Sequence, residues 1–264
     1  MKMLLCPICQ TELRRTEKQM KCENGHSFDL ARQGYVNLMI NGKKSSGDDR
    51  DMVKSRHLFL EEGFYAPLRD HVSNLIASRK PQVLVDAGCG EGYYTKVCAQ
   101  HAREAYGFDL SKAALKLAAA NDAKTHYAIA SLAHLPLADE SVDVLLSVFA
   151  PFDEAEFQRV LKADGLLIQV QPGPYHLYEL KQILYERVQL HEPTVHSRSF
   201  DVVKAETLTY PMEIHEPQHL QALFQMTPYY WKSPRESRSR LQAKSVLQVR
   251  ASFHIVCYRK QVKK

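Results

Sequence analysis

Between residues 82 and 170 short apolar runs alternate with longer amphipathic stretches. Strands are predicted near 82–86, 104–109, 125–130, 142–148 and 165–170, with helices between them. Val83, Leu84 and Val85 form an unbroken aliphatic run, the pattern of a parallel strand covered on both faces. The clearest helix runs from Ser111 to Asn121, with Ser111 placed to cap its free N–H groups. Upstream, Asp48, Asp49 and Asp51 favour a helix start, and that helix is expected to run to about Glu62 with Gly63 as its C-terminal cap. A second helix follows Pro67, with Leu68, Val72, Leu75 and Ile76 on one apolar face. Tyr65 falls between these helices, and spacing alone assigns it to the core. Near the end, Leu247, Val249, Ala251, Phe253 and Ile255 alternate with polar residues, which predicts a last strand paired antiparallel with one near 207–214. The whole pattern predicts an α/β fold built on a doubly wound sheet.

Three stretches fall outside this pattern. Residues 1 to 38 carry no long period and read as a separate small module. Residues 41–49 (Asn-Gly-Lys-Lys-Ser-Ser-Gly-Asp-Asp) have the polar, small-residue composition of a linker. Residues 191–201 are polar and receive no assignment. At 264 residues the chain is long enough for one large domain and one small one. No run reaches the length of a membrane span and the start lacks a signal-peptide pattern, so a soluble, cytoplasmic protein is expected. The formal charge of +5 is modestly basic; it permits a nucleic-acid partner without establishing one.

The small module contains Cys6-Pro7-Ile8-Cys9 and then Cys22 and His26, two ligand pairs separated by a hairpin-length insert. Thiolates and imidazole in this spacing suit a tetrahedral zinc ion, and four protein ligands leave no position for water, so the zinc is expected to be structural. A segment this short buries little core, and metal binding would supply much of its folding free energy. Arg14, Arg15, Lys18, Lys21 and Arg32 surround the ligands. They fit either a phosphate-binding face or a solvated one.

After the first strand of the large domain comes Asp86-Ala87-Gly88-Cys89-Gly90-Glu91-Gly92. Glycines at Gly88, Gly90 and Gly92 allow a tight turn and close approach of a ligand to the backbone, and the following helix offers free N–H groups. A dinucleotide site would place the third glycine one residue later, at Tyr93. Asp109 ends the next strand, where a carboxylate accepts hydrogen bonds from ribose hydroxyls. The alternative is a purely structural turn in another α/β protein. The glycine turn together with Asp86 and Asp109 resembles the cofactor site of class I S-adenosylmethionine-dependent methyltransferases. That resemblance implies a Rossmann-like sheet, with the turn at the methionine end of the cofactor and Asp109 at its ribose. By the same resemblance residues 129–143 pass the adenine, and the loop Val148-Phe149-Ala150-Pro151-Phe152 faces the reacting methyl.

Taken in order, the motifs resemble a narrower family, the 23S ribosomal RNA guanine-N1 methyltransferases, over essentially the whole chain. They are Cys6, Cys9, Cys22 and His26; Gly34-Tyr35-Val36-Asn37-Leu38; Gly47-Asp48; Phe59-Leu60 with Gly63 and Tyr65; Asp86 through Thr95; Ala150-Pro151; Pro172-Gly173-Pro174 with His176-Leu177 and Glu179-Leu180-Lys181; and Met226-Thr227-Pro228. The resemblance implies a zinc module at 1–38 that helps recognise an RNA hairpin near the peptide exit tunnel, a linker and helix at 39–64, and a methyltransferase domain at 65–264. It further implies cofactor contacts at Tyr65, Gly90, Glu91 and the Tyr175–His176 turn, and a homodimer. Without it, His176 reads as a surface or helix-start histidine. Some relatives carry tyrosine at the position of Phe149 and cysteine at that of Phe152, so no phenol at 149 serves here as a base. Asp153, Glu154 and His176 are the candidates for proton removal by position or type, and Phe149 or Trp231 for stacking on the target base. Residues 226–240 hold three aromatics and several cations, which suit either a stacking platform or a core edge followed by a solvated helix. A small-molecule methyltransferase, a methyltransferase of another RNA, and a non-catalytic RNA-binding module remain the competing readings.

Overall fold

The computed structural model describes residues 3–40, 48–193 and 197–261. The linker expected at 41–49 therefore lies mostly outside the described residues. The N-terminal segment forms a small antiparallel sheet from β1 (Arg14–Arg15), β2 (Gln19–Lys21) and β3 (Ser27–Asp29). Its core is limited to Leu4, Leu13, Met20 and the ligand cysteines. The chain then enters β4 (Val36–Asn37), which leaves this sheet and joins the edge of a much larger one.

The large sheet is completed by β5 (Val83–Ala87), β6 (Glu104–Asp109), β7 (Thr125–Ile129), β8 (Val142–Val148), β9 (Leu161–Pro172), β10 (Phe200–Ile214) and β11 (Leu247–Lys260). Its order is β10-β11-β9-β8-β5-β6-β7-β4. All pairings from β4 to β9 are parallel, and β11 runs antiparallel to both neighbours. Every residue of β5 is buried, as its aliphatic sequence requires for a strand covered on both faces. The strand order reverses at β5, so ligands are expected beyond the carboxyl ends of β5, β6 and β8. The five expected central strands all form. β9 begins earlier than expected, at Leu161, across a register shift between Val142 and Val144 that admits the exposed Ala163 and Asp164. β10 also begins earlier, at Phe200; as an edge strand it turns Asp201, Lys204 and Ala205 to solvent, so no apolar alternation announces it.

Helix α1 (Arg50–Glu61) starts at Asp49, whose side chain accepts a hydrogen bond from the Met52 N–H at 2.8 Å. It ends at Gly63, in the left-handed region with φ 79°, whose N–H reaches the Leu60 carbonyl. Helix α2 (Ala66–Ala77) carries Pro67 in its first turn and buries Leu68, Val72 and Ile76. The turn after β5 leads into α3 (Thr95–Cys98), and α4 (Lys112–Asn121) follows β6 with Ser111 as its cap. The remaining helices are α5 (Glu154–Val160), α6 (Tyr178–Leu184), α7 (Pro217–Gln225), α8 (Tyr229–Lys232) and α9 (Arg235–Gln242). No helix among the described residues is long and apolar enough to cross a membrane.

Candidate functional site

The four ligand atoms of Cys6, Cys9, Cys22 and His26 all lie within 4.8 Å of one another. Cys9 Sγ and Cys22 Sγ are 3.7 Å apart, and His26 Nδ1 lies 3.6 Å from Cys6 Sγ and 3.4 Å from Cys22 Sγ. A tetrahedral zinc with bonds of about 2.3 Å to sulfur and about 2.0 Å to nitrogen requires sulfur–sulfur edges of about 3.8 Å and sulfur–nitrogen edges of about 3.5 Å. The residues therefore fit zinc and leave no open coordination position. A hydrogen bond from the Thr11 hydroxyl at 3.2 Å is the main reason the Cys9 thiol is brought down to about 5, which favours the ligating thiolate. Arg14, Arg15, Lys18, Lys21 and Arg32 are all exposed around this centre. Arg14 and Lys21 line a groove of about 460 Å³ together with Glu12, Glu23, Thr11, Thr16 and Cys22, so its charges balance.

At the carboxyl end of β5 the glycine turn is held in a conformation that side chains would prevent. Gly88 has φ 85°, and a Cβ there would stand 2.3 Å from the Ala150 Cβ in the loop after β8. The Gly88 and Cys89 N–H groups both donate to the Phe108 carbonyl, tying the turn to β6. Asp109 reaches back to it: Oδ2 accepts from the Gly90 N–H at 2.8 Å and Oδ1 from the Ser111 N–H at 2.7 Å. Each oxygen keeps a further acceptor site, which suits a ribose diol. Glu91 is nearly buried; its Oε1 lies 2.9 Å from His57 Nδ1, while its Oε2 has no partner among the described residues. A buried acceptor left open beside the turn fits a hydroxyl or ammonium donor of the cofactor. Asp86 lies beneath the turn, 2 % exposed, where Oδ2 accepts from the Thr95 hydroxyl at 2.5 Å. Burial pushes its carboxyl up to about 7, against the opposing hydrogen bond from Thr95. The start of α1 forms a roof: Asp48 pairs with Arg56, the Asp48 carbonyl accepts from the Ser111 hydroxyl, and Arg56 lies beside Gly90. An S-adenosylmethionine molecule fits these residues: a turn without room for side chains, an aligned carboxylate and an unsatisfied acceptor.

A second wall faces the end of β8. Tyr65 and His176 are both buried, with Tyr65 Oη 3.3 Å from His176 Nε2. The Ser252 N–H donates to His176 Nδ1, also at 3.3 Å. Since that amide only donates, Nδ1 accepts, and the neutral ring carries its hydrogen on Nε2 toward Tyr65. Burial, and then the charge of Lys181, lower His176 to about 3, so the ring is neutral across the physiological range. Burial raises the Tyr65 phenol well above its ordinary value. Phe149 completes the wall, with ring centroids 6.5 Å from Tyr65, 6.2 Å from His176 and 5.8 Å from Phe253. It is 43 % exposed and has φ 56°, a strained conformation for a bulky residue.

The carboxylates expected as proton acceptors are otherwise engaged. Asp153 caps α5 by accepting from the Glu156 N–H. Glu154 Oε1 accepts from the Ser197 hydroxyl and from the Arg198 and Ser199 N–H groups at 2.5–2.7 Å, which hold it below the usual carboxylate range. With Nδ1 of His176 also occupied, none of the three is a free base. Phe152 turns away from Phe149 and packs against Phe157 and Phe200. His57, Arg56 and Asp48 were missed as parts of the site because no spacing along the chain links them to Glu91 and Gly90. Thr95 was visible within the motif, but its bond to Asp86 was not.

The RlmA N-terminal zinc-ribbon family matches residues 4–46, and a methyltransferase domain family matches residues 85–169. YxjB of Bacillus subtilis (strain 168), named provisionally as a 23S rRNA (guanine-N(1)-)-methyltransferase, is 35 % identical, with 91 % of each chain covered. The 23S rRNA (guanine(748)-N(1))-methyltransferase of Streptomyces fradiae is 37 % identical over 69 % of this chain and 67 % of its own. Among solved structures, a protein of Bacillus halodurans named provisionally as a methyltransferase superposes with TM-score 0.51 at 18 % identity. The match covers 73 % of this chain and 98 % of that one, a likeness of fold.

Proposed function

The chain belongs to the zinc-ribbon family of 23S rRNA guanine-N1 methyltransferases, and from that premise we propose that it methylates N1 of a guanine in a hairpin loop of 23S rRNA near the peptide exit tunnel. The observation that carries this reading is the continuity of the chain from the metal ribbon into β4, which pairs with β7 at the edge of the sheet that ends in the glycine turn. A small-molecule methyltransferase has no need of such an arm.

When bound, S-adenosylmethionine supplies a methyl group made electrophilic by its sulfonium. Asp109 would hold the ribose, the turn from Gly88 to Gly92 would take the methionine end, and Glu91 Oε2 would receive a donor. Tyr65 and His176 form the opposite wall as a neutral hydrogen-bonded pair. Phe149 offers its exposed ring as a stacking face for the guanine. N1 lies on the Watson–Crick edge, so the base enters unpaired, from a loop. With Asp153 and Glu154 engaged, the N1 proton leaves to water at the mouth of the site. The family likeness also supports a homodimer in the cytoplasm, which light scattering would test for the oligomer.

The test uses the purified zinc-loaded protein, tritium-labelled S-adenosylmethionine and unmodified 23S rRNA, followed by digestion to nucleosides. Label in 1-methylguanosine is the expected result. Label in another nucleoside, or transfer to a metabolite without RNA, would overturn the assignment. Phe149→Ala is expected to lower kcat/KM for RNA by roughly 10- to 100-fold, the scale of one lost base stack, while S-adenosylmethionine affinity changes little.

A further inference from the structure

After α7 the chain folds into a tight aromatic knuckle around Tyr230. Tyr230 is fixed on three sides. Phe224 packs on its ring at 5.3 Å, the Arg238 guanidinium lies 5.0 Å from its centroid, and Arg238 Nη2 donates to its carbonyl at 2.6 Å. Trp231 stands edge-on to Tyr230, with centroids 5.0 Å apart and planes at 81°. Its indole is 64 % exposed, the highest value for a large hydrophobic side chain among the described residues. A rotamer-rich side chain in solvent loses freedom when it binds; an indole already braced by its neighbour loses little.

Two observations identify the occupant. The first is charge. Between residues 227 and 244 there are five cations (Lys232, Arg235, Arg238, Arg240 and Lys244) and one anion, Glu236. An apolar face in a segment with this excess of cations, one of them on the neighbouring Tyr230, suits a nucleobase with its phosphates better than an apolar protein surface. The second is position. Tyr229, beside the knuckle, lies under Lys181 Nζ at 5.7 Å, and Lys181 belongs to α6, which begins next to His176. The knuckle is thus attached to the wall of the transfer site. Trp231 itself makes no ring contact with Tyr65, Phe149 or His176 among the described residues, so it stands outside the point of transfer.

We propose that Trp231 is a stacking platform for an unpaired base of the RNA, one that flanks the base being methylated. This rests on the rRNA reading given above.

Trp231 is the only tryptophan in the chain, so fluorescence excited beyond the tyrosine absorption reports on this residue alone. The probe is a stem-loop RNA with guanosines in its loop, compared with the same strand fully paired to its complement. The stem-loop is expected to quench the emission and the duplex to leave it nearly unchanged. Trp231→Leu is expected to weaken stem-loop binding, read by anisotropy of labelled RNA, by at least about fivefold, with KM rising more than kcat falls and Trp231→Phe recovering most of the loss. Equal quenching by duplex, unchanged affinity in Trp231→Leu, or an emission change that follows protein concentration without RNA would overturn the proposal. If the wild-type protein methylates no RNA, the rRNA reading itself has failed; if it does so and Trp231→Leu is indifferent, only the platform has failed.

Discussion

Asp86 and His176 are buried titratable groups whose effects on stability oppose each other. Asp86 is raised to about 7 in the fold, so the native state holds a proton that the unfolded chain gives up near its ordinary value, and stability falls as pH rises between the two. His176 is lowered to about 3, so the unfolded chain takes up a proton that the native state refuses; this contribution to stability falls as pH drops below the ordinary histidine value. Between about pH 4 and 6.5 the two slopes nearly cancel. Asp86→Asn removes one of them. Relative to wild type, its stability should climb as pH rises, with a gain of roughly 2–4 kcal/mol at pH 8 over that at pH 4.5. His176→Gln should tilt the other way, and urea unfolding at several pH values reads both; parallel profiles for all three proteins would contradict these assignments. Gly88→Ala should abolish cofactor binding by calorimetry, because its Cβ meets that of Ala150 at 2.3 Å. Adding Ala150→Gly should restore part of it, leaving about 1 kcal/mol of left-handed backbone strain.

Helix α5 and the loop before it show how an element can occupy the right place and do other work. Glu154 follows the end of β8, where a proton acceptor was expected, yet it organises the turn at 197–199 by three hydrogen bonds. Glu154→Gln should therefore cost about 1–2 kcal/mol in stability while kcat per folded molecule stays within about twofold. A fall in kcat of a hundredfold or more would instead make Glu154 the proton acceptor. The central strands were legible because buried parallel strands carry unbroken aliphatic runs such as Val83 to Val85. The early start of β10 was not, because after the buried Phe200 its residues from Asp201 to Ala205 all stand in water and carry no apolar alternation. The glycine turn and Asp109 were legible from spacing, since both follow strand ends. The His57–Glu91 pair and the Tyr65–His176 bond join residues 34 and 111 positions apart, and only folding reveals them.

At the scale of the whole molecule, a metal arm and a catalytic sheet are joined through β4 and through the pairing of Leu4 with Leu137. The arm has little core of its own, so Cys22→Ser, or removal of zinc by a chelator, should unfold it and abolish rRNA methylation. The donor cradle draws on β5, β6 and α1 and should still bind S-adenosylmethionine by calorimetry. The most direct test of the central claim is primer extension on 23S rRNA from cells with and without the protein. A methyl at guanine N1 blocks pairing, so the account predicts a reverse-transcriptase stop at one loop guanosine that vanishes when the gene is deleted and returns with wild type but not with Gly88→Ala. Identical stops along the whole RNA in all of these cells would contradict it.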